Sequence, residues 1–131
     1  MTFNHSTSTK TGVLDAGALG RLRELDPTGT NRLLERVAAA FLSSIERLMP
    51  ELETASHTEP NFAAIRRVAH ALKSSAASIG GLALSHRCAE IEQLAFQGRA
   101  EGLALLLDGM RTDLEQVRAA LNLLLAESES R

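Results

Sequence analysis

The stretch Asn61–Gly81, NFAAIRRVAHALKSSAASIGG, decides the fold. At about 100° per residue, Ile65, Val68, Ala69, Leu72, Ala76 and Ile79 gather on one side of a helix. That side is a core face. The pair Gly80-Gly81 suits a left-handed helix end and a tight reversal. A second helix is therefore expected to run back along the first.

Working outward, the same 3–4 spacing recurs. C-terminal to the glycines, Leu84, Cys88, Ile91 and Leu94 form a stripe that stops near Gly98. Leu103, Leu106, Leu107, Met110, Leu114, Val117, Leu121, Leu124 and Leu125 form another, long enough to span the domain. Within it Gly102 and Gly109 are expected to weaken the helix slightly. N-terminal to Asn61, a stripe runs through Leu33, Leu34, Val37, Phe41, Ile45, Leu48 and Leu52. Pro50 is expected to kink that helix or to start a new turn. A shorter helix is expected from Asp15, a good N-cap, through Leu19, Leu22 and Leu25 to Asp26-Pro27. The chain thus reads as all-α, an antiparallel four-helix bundle with an additional short N-terminal helix. Residues 14–126 form the bundle. Residues 1–13 and 127–131, rich in Ser, Thr and Glu, read as disordered tails.

Composition agrees with this reading. The chain has 131 residues, of which 22 are Leu and 20 Ala, against 4 Val and 4 Ile, and Trp and Tyr are absent. Helices favour the first pair and strands the β-branched and aromatic residues, so sandwiches, barrels and doubly wound sheets are excluded. Lys and Arg number 14 against 16 Asp and Glu. This balance argues against nucleic-acid binding, and the few aromatics argue against base stacking. No apolar run is long enough to cross a membrane, and the N-terminus lacks a signal core. A lone cysteine, Cys88, permits no internal disulfide and reads as a small core residue. The chain is expected to be cytoplasmic, monomeric and free of metal and cofactor. It has neither the inward Glu-x-x-His pairs of a di-iron bundle nor a GxxxxGK nucleotide loop.

His70 stands apart from the core stripe, roughly 160° from its centre. Its neighbours three and four residues away are Arg66, Arg67, Lys73 and Ser74. Ala77 and Gly81 continue the face and are small, which admits a close partner. From Asn61 to Glu90 there are four basic residues (Arg66, Arg67, Lys73, Arg87) and one acidic, Glu90. Two readings follow. One is a solvated surface face. The other is a histidine that carries a phosphoryl group: neutral imidazole is nucleophilic near pH 7. Lys73 and Ser74 are placed to receive the added negative charge. The basic surround would draw an acidic partner.

The run Ala69-His70-Ala71-Leu72-Lys73-Ser74-Ser75, followed by Ile79-Gly80-Gly81, resembles the signature of histidine-containing phosphotransfer (HPt) domains. Leu33-Leu34, Phe41-Leu42, the segment around Pro50, and Leu84, Cys88, Ile91-Glu92 and Gly98 extend the resemblance to about residues 14–125. The resemblance implies a phosphorelay intermediate that accepts a phosphoryl group on His70 from a receiver-domain aspartate. It would then pass the group to another response-regulator receiver. Lys73 would pair with the phosphoryl group. Arg66, Arg67, Ser74, Ala77, Gly80 and Gly81 would meet the partner, and Gly80 would sit where the family keeps a small residue. Ser74 departs from the glycine commonest at its position. The implied partners are receiver domains and a (hybrid) sensor histidine kinase. The receiver supplies magnesium and an acidic pocket, so the chain is a phosphocarrier rather than an ATP-dependent enzyme. In chemotaxis-kinase phosphotransfer domains, a Glu at the spacing of Glu92 holds one histidine nitrogen. Glu92 is thus the candidate to orient His70, with Gln93 second and a solvated Glu92 the alternative. The alternative for the whole chain is a non-phosphorylated adaptor docking through the same basic face.

Overall fold

The computed structural model describes residues 13–57 and 59–129. They form α1 (Ala16–Glu24), α2 (Leu33–Ala55), α3 (Phe62–Ser78), α4 (Leu82–Phe96) and α5 (Leu103–Glu129), with no strand among the described residues. Cross-helix bonds establish the directions. Arg111, early in α5, pairs with Glu53, late in α2, while Ser128, late in α5, bonds Glu35, early in α2. Arg67 of α3 pairs with Glu51 of α2, and Arg87 of α4 with Asp113 of α5. Each helix therefore runs antiparallel to its neighbours, and contacts close the ring α2–α3–α4–α5.

Local chemistry starts each helix. Asp15 caps α1 by accepting the Ala18 N–H at 3.0 Å, and Asn61 caps α3 by accepting the Ala64 N–H at 3.1 Å. Helix α2 is capped from a distance. Arg32 precedes it with φ +52 and offers no side-chain cap. The buried Asp26 carboxylate accepts the Leu33 N–H at 3.1 Å and the Asn31 N–H at 3.3 Å instead. These bonds hold the uncommon left-handed residue between them.

The stripes meet in one core. Ile45, Leu52, Ile65, Leu72, Ile79, Leu84, Ile91, Met110 and Leu121 are fully buried. Each contributes about 1.5–3 kcal/mol relative to exposure. Cys88 sits among them, and its burial pushes the thiol up to about 12. Helix α1 lies across one end, where Leu14, Ala18 and Leu19 are buried. No helix of the described residues is long and apolar enough to cross a membrane.

Several expectations need correction. The helical run continues unbroken through Pro50, well inside α2. Gly102 lies just before α5 with φ +82, so it does not weaken that helix. Gly109 is inside α5, but the Arg87 guanidinium occupies the space where its Cβ would stand, 2.6 Å away. The absent side chain lets Arg87 cross to Asp113. At the C-terminus, residues 127–129 are helical rather than a tail, because α5 continues along α2 as far as the Ser128–Glu35 bond. Val13 packs against the core, and the rest of the expected N-terminal tail lies outside the described residues, as do residues 130–131.

Candidate functional site

His70 lies midway along α3, and its side chain is 63% exposed. The α3–α4 hairpin aligns it with Glu92. His70 Nδ1 and Glu92 Oε2 are 2.8 Å apart, and Lys73 Nζ donates to Glu92 Oε1 at 2.7 Å. One carboxylate thus bridges the histidine and the lysine. The Lys73 ammonium, and after it the His70 bond, holds the Glu92 carboxyl below its ordinary range against the opposing effect of burial. In the neutral ring a carboxylate acceptor places the proton on Nδ1 and leaves the Nε2 lone pair free. Among the described residues no group hydrogen-bonds Nε2. Gln93 does not take part in this contact.

The hairpin itself is tied by the buried Ser85, whose hydroxyl donates to the Lys73 carbonyl at 3.0 Å. Sequence reasoning missed this bond. A serine inside the Leu84–Cys88 apolar stretch was the available signal, because a buried hydroxyl must find an acceptor.

The expected partner residues divide. Arg66, Arg67, Ser74 and Ala77 are exposed, in register with His70 along α3. Gly80 and Gly81 are buried and offer no surface to a partner, which corrects the expectation. Gly80, at φ +87, faces the start of α1: its carbonyl accepts the Asp15 N–H at 2.7 Å, and a Cβ there would meet Asp15 N at 2.7 Å. A Cβ on Gly81 would stand 3.2 Å from Val117 Cγ2. Backbone conformation and close packing, not docking, require Gly80, and Gly81 sits tightly against α5.

The basic surround is also less open than its composition suggests. Arg67 pairs with Glu51, Lys73 with Glu92 and Arg87 with Asp113. Arg66 instead lies over the Phe96 ring, 4.6 Å from its centroid. Among the described residues no three His, Cys, Asp or Glu side chains gather as a metal site.

A helical bundle with an exposed histidine at mid-helix, held by a carboxylate from the next helix, has the form of a phosphoryl carrier. Solved structures of the same form exist. A histidine-containing phosphotransfer protein from maize matches with TM-score 0.81 at 23% identity, over 97% of this chain and 94% of its own. Histidine-containing phosphotransfer protein B from Pseudomonas aeruginosa matches with TM-score 0.65 at 23% identity, over 84% of this chain and 91% of its own. No curated protein sequence matches. The family model of the Hpt domain matches residues 36–123, and the chain belongs to that family. It is accordingly a phosphorelay intermediate, a phosphocarrier of the kind that works with receiver domains and histidine kinases in two-component signalling.

Proposed function

We propose that His70 is the phosphoacceptor and that Nε2 is the attacking atom. The observation that carries this reading is the exposed ring whose Nδ1 is held 2.8 Å from Glu92. The Nε2 lone pair attacks the phosphorus of a receiver's aspartyl phosphate, the P–N bond forms, and the P–O bond to the aspartate breaks. The aspartate leaves as a carboxylate. The Nδ1 proton stays in place, so the phosphorylated ring is an imidazolium whose positive charge faces the Glu92 carboxylate. Transfer onward reverses these steps, with neutral imidazole as the leaving group.

Phosphoryl transfer depends on positioning and charge stabilisation more than on covalent machinery. Glu92 positions the ring. Lys73, anchored beside it on Glu92, would stabilise a phosphoryl oxygen on Nε2 by a charge-assisted bond. Arg67, Ser74 and Ala77 would form part of the face that meets the receiver. In this reading the chain is a monomeric cytoplasmic carrier, hydrolyses no ATP, and relies on the receiver for magnesium.

The test is incubation with a receiver domain loaded from radiolabelled acetyl phosphate. Acid-labile, base-stable label should appear on the wild type and be absent from His70→Gln. Label persisting in that variant would move the acceptor elsewhere. An unlabelled wild type whose signalling survives His70→Gln would leave an adaptor.

A further inference from the structure

We propose that Arg66 and Phe96 form a two-residue docking element beside His70, which grips the acidic rim of the receiver's phosphorylation pocket. This rests on the phosphotransfer reading and adds a specificity-determining surface to it.

Three observations converge. The first is register. Arg66 precedes His70 by four residues on α3, and Phe96 follows Glu92 by four on α4. Because the hairpin is antiparallel, the Arg66–Phe96 pair forms the next rung after His70–Glu92, one helical turn or about 5.4 Å along the axis. The element is continuous with the reacting histidine.

The second is charge. Of the four basic side chains of α3 and α4, three are matched by carboxylates: Arg67 by Glu51, Lys73 by Glu92 and Arg87 by Asp113. Among the described residues no carboxylate pairs with Arg66. Its charge is offset by a ring face, which satisfies no hydrogen-bond donor. All the guanidinium donors remain available for a planar carboxylate.

The third is exposure. Of the described phenylalanines, Phe41 is buried and Phe62 packs on the core, whereas Phe96 is 63% exposed. An aromatic ring standing in water next to a reactive side chain is poorly explained by the fold of the monomer. The contact with the ring holds the guanidinium in place, so less freedom is lost when a partner docks. Aromatic and arginine anchors are also the residues that dominate interface energetics. A receiver presents carboxylates around its phosphorylated aspartate, and these complement the unmatched cation.

The experiment measures transfer from a receiver domain loaded with radiolabelled acetyl phosphate, across a range of receiver concentrations and at two salt concentrations. Arg66→Ala should raise KM about tenfold and flatten its salt dependence, with the loss falling on KM rather than kcat. Phe96→Ala should raise KM several-fold. The double variant should fall short of the product of the two, because Phe96 acts partly through Arg66. Circular dichroism should show unchanged helix content, and Arg66→Gln with Phe96→Leu serves as a second pair if either alanine variant melts early. Wild-type KM and salt dependence in the Arg66 and Phe96 variants and their double would overturn the inference and leave His70 chemistry intact. If the wild type takes no label, the phosphotransfer reading falls instead. Calorimetric titration with the unphosphorylated receiver then tests docking separately, and equal Kd for wild type, Arg66→Ala and Phe96→Ala would overturn it.

Discussion

Replacing Gly80 with Ala separates a packing role from a docking role at the helix reversal. Gly80 has φ +87, where an L-residue is strained by about 1–2 kcal/mol. The new Cβ would stand 2.7 Å from Asp15 N, 3.0 Å from Asp15 O and 3.3 Å from Ala18 Cβ. The first two are backbone atoms that cannot rotate away. Moving them weakens the Asp15 N–H bond to the Gly80 carbonyl, worth about 1 kcal/mol. The sum is about 2–3 kcal/mol. At about 4 °C per kcal/mol for a chain of this size, the melting midpoint should fall by about 8–12 °C. Thermal melts followed by far-ultraviolet circular dichroism read this. Gly20→Ala, inside α1 with nothing within 4 Å of the added Cβ, is the control and should be neutral or slightly stabilising. Well below its midpoint, Gly80→Ala should keep the wild-type KM for a phosphorylated receiver. An unchanged midpoint together with a raised KM would refute this reasoning and return Gly80 to the partner surface.

Glu92→Gln keeps the shape of the side chain but leaves one acceptor oxygen and an NH2 donor where two carboxylate oxygens met Lys73 and His70, so single-turnover transfer to His70 should slow by about 5–30-fold at constant fold. A rate equal to wild type would remove Glu92 from the site. Its carboxyl is held below the ordinary value of 4.5, so its contribution to stability is complete above that pH and lost as pH falls through the lowered folded value. Urea midpoints should therefore decline more steeply below pH 4.5 in the wild type than in Glu92→Gln, and parallel curves would contradict the assignment. Lys73→Ala should slow transfer more than it lowers the melting midpoint, since its ammonium is partly exposed and its carbonyl bond to Ser85 remains. Asp26→Ala removes the remote cap of α2 and should cost about 1–2 kcal/mol in urea unfolding, without changing transfer at His70.

The helices and their faces were legible in the sequence because helical periodicity is local. The residues expected in the core of α3, from Ile65 to Ile79, are buried, and the capping residues Asp15 and Asn61 do what short polar side chains do before a helix. No new helix starts at Pro50, because tertiary packing of the α2 stripe holds the helical run together across the missing N–H donor. The remote cap by Asp26 escaped because its bonds skip five and seven residues, beyond any local capping pattern.

What the sequence alone determined is that His70 lies away from the core, since one amphipathic helix sets the orientation of every side chain it carries. What the tertiary structure decided is everything that crosses between helices. Glu92 and Gln93 differ by about 100° around α4, and the rotation of that helix in the bundle decides that Glu92 meets His70. The same rotation carries Phe96 to Arg66 and leaves Glu51 and Asp113 to neutralise the other cations. Gly80 meets Asp15 across 65 positions of chain, a contact that exists once α1 has folded over the end of the bundle. Spacing along a helix is fixed by backbone geometry, whereas pairing between helices depends on how all four stripes pack together.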